Sequence, residues 1–205
     1  MLRVVRTVFV VLAMVLVAGG TSQAQSYPEK TVLSAYDESV FFFGGRFHTR
    51  WFGDGFLPWT VTWDDTYLVA AGYQRTLFDY KDVRAGVEAG LAGRFGADAA
   101  SAELWAALFA RYDGFVFGNF RISPLFSIGL SYTTGTQGYE AQRIAAAGQS
   151  NAPLLIYLGP ELALSLVDQP QWEVFTRFHH RSGGFGLIAD LDASNVITAG
   201  VRYKF

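Results

Sequence analysis

The last stretch of the chain alternates residue by residue. Ile197, Ala199, Val201, Tyr203 and Phe205 are apolar, while Thr198, Gly200, Arg202 and Lys204 between them are small or polar. A period of two with one apolar face marks a β-strand whose two sides meet different media. The pattern recurs upstream. In 172–182, Trp172, Val174, Thr176 and Phe178 alternate with Glu173, Phe175, Arg177 and His179. In 154–166, Leu154, Ile156, Leu158, Leu162, Leu164 and Leu166 share a face opposite Tyr157, Gly159, Glu161 and Ser165. Segment 119–133 sets Phe120, Ile122, Phe126, Ile128, Leu130 and Tyr132 against Asn119, Arg121, Ser123, Ser127 and Ser131. Segments 101–112, 83–95 and 67–77 behave alike, and an apolar stretch at 36–47 supplies a first strand whose facing the pattern leaves open. The reading is eight strands of roughly 10–14 residues, longer than the usual strand of a soluble protein.

Composition sharpens this. The 205-residue chain is 51% hydrophobic but only 17% charged, with a mean hydropathy of +0.20; an ordinary soluble domain carries about 25% charged residues. The chain has 16 basic against 18 acidic residues and no cysteine. That excludes a nucleic-acid binder, a disulfide scaffold and a disordered tail. The surplus apolar surface needs a membrane, yet a helical membrane protein needs runs of about 20 apolar residues. Only one long apolar run exists, at the N-terminus; it is short for a transmembrane anchor and reads as a secretory signal peptide over residues 1–24. Arg3 and Arg6 precede an apolar region at 8–18, Gly19-Gly20 breaks it, and Ser22-Gln23-Ala24 offers a small-x-small cleavage site. Cleavage after Ala24 leaves a single domain, 25–205, and takes the formal charge from −2 to −4.

The polar face carries Arg84, Glu88, Arg94, Glu103, Arg111, Arg121, Glu161, Glu173 and Arg177. A soluble lipocalin-like barrel would turn these charges outward around an apolar ligand cavity. Three features favour the inverse arrangement. Aromatic residues (Trp51, Trp59, Trp63, Tyr67, Tyr112, Tyr132, Trp172, Tyr203) cluster near strand ends, as an interfacial girdle requires. Signs on the polar face are balanced, so they neutralise one another in a narrow lumen. Small residues on that face (Gly86, Gly90, Ala92, Gly129, Gly159) leave room for long side chains. In lipid every backbone group must be paired, and only a closed barrel achieves this with strands. The expected fold is therefore all-β: an eight-stranded antiparallel transmembrane barrel of the bacterial outer membrane. The C-terminal Phe205 also resembles the terminal signature of such barrels. Connections near 78–82, 113–117 and 167–171 are short, that at 96–100 intermediate, and those at 48–66, 134–151 and 183–194 long. Short turns face the periplasm and long loops the exterior, so both termini are expected in the periplasm.

Two of the three histidines lie at the expected outer end, in Phe178-His179-His180-Arg181-Ser182-Gly183. Strand parity puts His179 and Arg181 inside and His180 and Ser182 on the lipid face; Asn195, with the parity of Ile197, points outward across the hairpin. An imidazole and a hydroxyl two residues apart on one face suit a base-activated serine nucleophile. The bland alternative is a pair of ordinary interface residues. Polar groups on a lipid face are costly unless they sit at the interface or have a use.

The stretch Arg177–Ser182, closing on 194–205 (SNVITAGVRYKF), resembles the PagL-like lipid A 3-O-deacylase barrels. The resemblance implies hydrolysis of the ester-linked acyl chain at position 3 of lipid A, with His180 as base and Ser182 as nucleophile. It also implies a downstream glutamate that orients the histidine, but no glutamate follows Ser182. Asp190 and Asp192 are the carboxylates left there, expected in a loop. Gly183 stands where that family has an asparagine. Either Asp192 or Asn195 takes the place of the acid, or the barrel has kept the scaffold and lost the activity, leaving a structural or surface-binding protein. The implied partner is outer-membrane lipid, lipid A or lipopolysaccharide, and not nucleic acid. No motif points to a cofactor or a metal. The interior glutamates read as a structural ion network, His48 as a first-loop residue without an evident partner, and a solute pore is disfavoured by the narrowness of eight strands.

Overall fold

The computed structural model describes residues 35–96, 98–149 and 151–205; the expected signal peptide at 1–24 lies outside them. Eight long antiparallel strands form the wall: β1 (Glu38–His48), β2 (Trp63–Tyr80), β3 (Val83–Gly96), β4 (Ser101–Tyr112), β6 (Phe120–Thr133), β7 (Leu154–Leu166), β8 (Trp172–Ser182) and β9 (Asp192–Lys204). A short β5 (Phe115–Phe117) pairs only with the start of β6. Consecutive strands pair around the ring, β4 pairs with β6, and β1 pairs with β9, which closes the barrel. Closure removes every long sheet edge, so the backbone is satisfied all the way round.

The alternation lands as expected. Leu91, Leu104, Leu108, Ile128, Leu130, Leu162, Val174 and Val201 are exposed on the outer wall, and their neighbours line the lumen. The first strand, whose facing was open, turns Phe41, Phe43 and Phe47 inward. They join Trp105, Tyr157 and Phe175 in an aromatic slab across the middle of the lumen.

Charges fill the space on either side of that slab. Arg177 bonds Glu88 at 2.8 Å and Glu161 at 2.7 Å; Arg202 bridges Glu161 (2.7 Å) and Glu173 (2.9 Å). Lys204 and Arg111 complete the shell of Glu173. Buried charges persist only when paired and hydrogen-bonded, and here each carboxylate has at least one cation. The interior is a packed polar core rather than a channel.

Connections differ from expectation at the long-loop end. The 134–151 loop holds a helix, α1 (Gly138–Ala146). Its buried Glu140 pairs with Arg94 and Arg181, so α1 caps the lumen. The first loop is shorter than read: β2 begins at Trp63, leaving 49–62, which forms two 3-10 turns, Phe52–Phe56 and Pro58–Thr60. Strands that extend beyond an apolar band carry polar residues there (Asp64, Asp65), which obscures them in a hydrophobicity pattern. The 183–194 loop ends sooner too, because β9 starts at Asp192.

Candidate functional site

Outward residues of β8, β9 and β1 meet at the long-loop end. His180 on β8 stands opposite Asn195 on β9, and their register pairing puts both on the outer face. His180 Nδ1 lies 2.6 Å from Asn195 Oδ1. The amide nitrogen of Asn195 donates to Asp192 Oδ1 and to the Arg50 carbonyl, each at 3.0 Å. Two acceptors facing Nδ2 fix the amide orientation, so its oxygen must face the imidazole. An oxygen there requires a proton on Nδ1, so that in the neutral ring the lone pair is on Nε2. That is the tautomer a general base needs. Asp192 lies 3.8 Å from His180 Nδ1, beyond direct hydrogen bonding, and acts on the imidazole through the amide.

Asp192 is therefore not a loop residue, as expected from sequence, but the first residue of β9. A bulge makes this position useful. Arg181 pairs with Ser194 and Ser182 with Asp192, so Ala193 is the extra residue that turns the Asp192 carboxylate back toward the wall. Asp190, the other candidate acid, is exposed to solvent.

Ser182 ends β8, half-buried, on the same face as His180. Its Oγ accepts a 3.4 Å hydrogen bond from Gly184 N–H, and among the described residues no hydrogen bond joins it to His180. The Gly183 amide donates to the Leu191 carbonyl at 2.7 Å, so it is committed to the loop. The two residues read as base and nucleophile thus share a face without touching.

Three features escaped the sequence reading. His48 is not an isolated loop residue: it ends β1, faces outward, and packs its ring 5.4 Å from Phe178. Arg143 of α1 holds Asp192 through the carboxylate (3.1 Å) and the backbone carbonyl (3.0 Å), and also bonds the carbonyls of Thr49 and Arg50. One guanidinium therefore ties α1, the first loop and the start of β9 together at the site. Third, the 3-10 turn Phe52–Phe56 lies over the wall. The Phe52 ring is 4.4 Å from the His180 imidazole and 4.9 Å from Phe178, and Phe56 stacks on Phe178 at 5.7 Å. His180 is only 4% exposed as a result. Parity identified the outward histidine; the cover came from aromatic packing between distant segments, which periodicity does not encode.

No protein-family model matches the chain, and no curated protein does. Among solved structures, the barrel is similar to the outer membrane enzyme PagL, with a TM-score of 0.52 at 14% identity over 82% of this chain and 99% of that one. It is similar at a TM-score of 0.47 to Neisserial surface protein A (15% identity, 82% and 97% covered). A de novo designed transmembrane β-barrel gives the same score (11% identity, 87% and 100% covered). At these identities the likeness is one of fold: the chain is a closed eight-stranded antiparallel β-barrel of the outer-membrane type.

Proposed function

We propose that this protein is an integral outer-membrane barrel, its termini in the periplasm, that hydrolyses an ester-linked acyl chain of an outer-leaflet lipid. Lipid A is the substrate that its resemblance to the deacylase barrels implies, and the outer membrane enzyme PagL shares its architecture. The observation that carries the reading is the His180–Asn195–Asp192 relay. An imidazole oriented in this way on the outer wall, where a polar group is otherwise a cost, is a group with a use.

The chemistry follows from the tautomer. His180 Nε2 takes the proton of Ser182 Oγ as that oxygen attacks the ester carbonyl, while the other ring proton stays on Nδ1 and donates to Asn195 Oδ1. The tetrahedral intermediate collapses to an acyl-serine, and the departing sugar oxygen takes the proton from Nε2. Water, deprotonated by the same nitrogen, then releases the fatty acid and restores Ser182. Gly184 N–H, already directed at Ser182 Oγ, is the backbone donor available to the developing oxyanion. An asparagine in place of the orienting acid is chemically sufficient, as Cys-His-Asn proteases demonstrate.

Purified protein incubated with lipopolysaccharide should release a 3-hydroxy fatty acid, and lipid A mass should fall by one acyl chain. Ser182→Ala should abolish both. Unchanged lipid A with folded wild-type protein overturns the proposal. A second reading, a non-catalytic structural or surface-binding barrel, draws on the missing Ser182–His180 hydrogen bond. It expects His180→Ala and Ser182→Ala to be silent.

A further inference from the structure

The outward face of β8 is interrupted. Trp172, Val174 and Thr176 are exposed, yet Phe178 and His180, next in the same row, are buried. What covers them is the segment from Phe52 to Thr60. Its attachment is unusual for a covering segment. Its backbone hydrogen bonds are internal: Asp54 N to Trp51 O, Leu57 N to Asp54 O, and Thr60 N to Leu57 O. Among the described residues, no backbone hydrogen bond joins 52–60 to the barrel. It is held by rings alone, through Phe52 on His180 and Phe178, Phe56 on Phe178, and Gly55 pressed so close to the Phe178 ring that a Cβ there would overlap it.

The stem beneath the segment is tethered far more firmly. Thr49 N bonds Thr62 O at 2.9 Å, and the carbonyls of Thr49 and Arg50 hold Arg143 and Asn195. The part without such tethers lies between Trp51 and Val61, both in extended backbone. The outer side of the segment is also apolar: Trp51 is 70% and Trp59 78% exposed. Such a surface loses nothing by moving sideways into lipid.

Directly below Phe178 the outer wall dips. Thr176 and Ala199, paired across β8 and β9, are small, while Leu162, Leu164, Val174 and Val201 rise around them. The trough between them is a shallow depression, open to the outside along its length. From His180 the outward row of β8 descends through Phe178 and Thr176 to Val174, six strand residues or about 20 Å, a line that leads from the imidazole into the apolar band and enters the trough at Thr176. The upper part of that line is filled by Phe52 and Phe56.

We propose that Phe52–Thr60 is a lid, and that a long saturated acyl chain displaces its rings from Phe178 and continues into the Thr176–Ala199 trough. The exchange is apolar for apolar, so it costs no hydrogen bond, and it uncovers His180 only when a chain is seated. This rests on the esterase reading for its consequence, since His180 would be exposed only to an acylated ligand; the lid and the trough themselves are tested without turnover.

The chain has no cysteine, so spin labels can be placed freely. One goes on the lid at Trp59→Cys, the other on the exposed wall of β6 at Leu130→Cys, away from the trough. The full mature protein in micelles is measured by pulsed dipolar spectroscopy with and without myristate, in a Ser182→Ala background. Myristate should shift the main distance by about 10 Å, the width of one helix. Adding Phe52→Ala and Phe56→Ala should produce the shifted population without myristate. Thr176→Trp, which fills the trough, should abolish the response. An unchanged distance with saturating myristate, an unchanged distance in the ring-less variant, or an undiminished response in Thr176→Trp each overturns the proposal. A lid that moves in a protein that never deacylates lipid overturns the esterase reading and leaves the lid standing.

Discussion

Asn195 turns its amide oxygen, not its nitrogen, toward His180: Oδ1 is 2.6 Å from Nδ1, while Nδ2 is held 3.0 Å from Asp192 Oδ1. The carboxylate thus stands one residue behind the position it would occupy in a Ser-His-acid triad. A direct Asp at position 195 would face Asp192 at that same distance, and two carboxylates so close cannot both stay ionised. The amide resolves this by accepting from one neighbour and donating to the other.

Asn195→Ala should therefore remove the tautomer control while leaving Ser182 and His180 in place. The expected loss in kcat is between about 10² and 10⁴-fold, the upper figure being that of a serine hydrolase imidazole left in the wrong tautomer. KM for lipid should change little, because Asn195 is fully buried and does not meet substrate. Asn195→Asp alone should not rescue, whereas Asn195→Asp with Asp192→Asn should exceed either single variant. Initial rates of fatty-acid release measure all of these.

Arg143 makes a separable prediction. It binds Asp192, Thr49 and Arg50 but belongs to neither the barrel wall nor the reacting pair. Hydrogen bonds to charged groups contribute about 1.5–3 kcal/mol each, and these join α1 to the first loop and to the opening residue of β9, at the rim rather than in the middle of the barrel. Arg143→Ala should accelerate proteolytic cleavage within 49–62 and lower activity without changing the urea midpoint of the barrel. Arg143→Lys should restore little, since an ammonium cannot span the planar fork that reaches three carbonyls and a carboxylate.

Pattern alone carried the barrel because in this fold the medium writes the sequence. Lipid outside and ions inside force alternation at nearly every strand residue, and Ile197 through Phe205 display it without exception. The same parity put His180, Ser182 and Asn195 on the outer face. It failed where residues answer to partners rather than to a medium. Glu140 sits in a short helix with no apolar run, and its meaning comes from Arg94 and Arg181, 46 and 41 positions away. His48 was misread for the same reason: the Phe178 ring beside it arrives by topology.

The packed lumen bears on transport. Arg177, Arg202, Glu88, Glu161 and Glu173 cross the lumen in continuous hydrogen-bonded contact beside the aromatic slab. Wild-type protein in planar bilayers should give no discrete conductance steps. Steps from folded, monomeric barrels would contradict the closed interior.

The interior network should also make stability strongly non-additive. Arg177→Met leaves Glu88 and Glu161 facing each other in a region with no access to solvent. Breaking a buried pair from one side costs about 3–5 kcal/mol, because the remaining charge stays desolvated. Glu161 keeps Arg202 at 2.7 Å, so most of the penalty falls on Glu88, whose other partners are the neutral Trp105, Gln74 and Ser127. Glu88→Gln added to Arg177→Met removes that stranded charge and lets the amide keep bonds to these neighbours. The double variant should therefore be more stable than Arg177→Met alone, though Glu88→Gln in the wild-type background should destabilise. Urea unfolding in lipid vesicles, followed by tryptophan fluorescence, reads the coupling; additive effects would mean that Glu88 and Arg177 do not depend on each other.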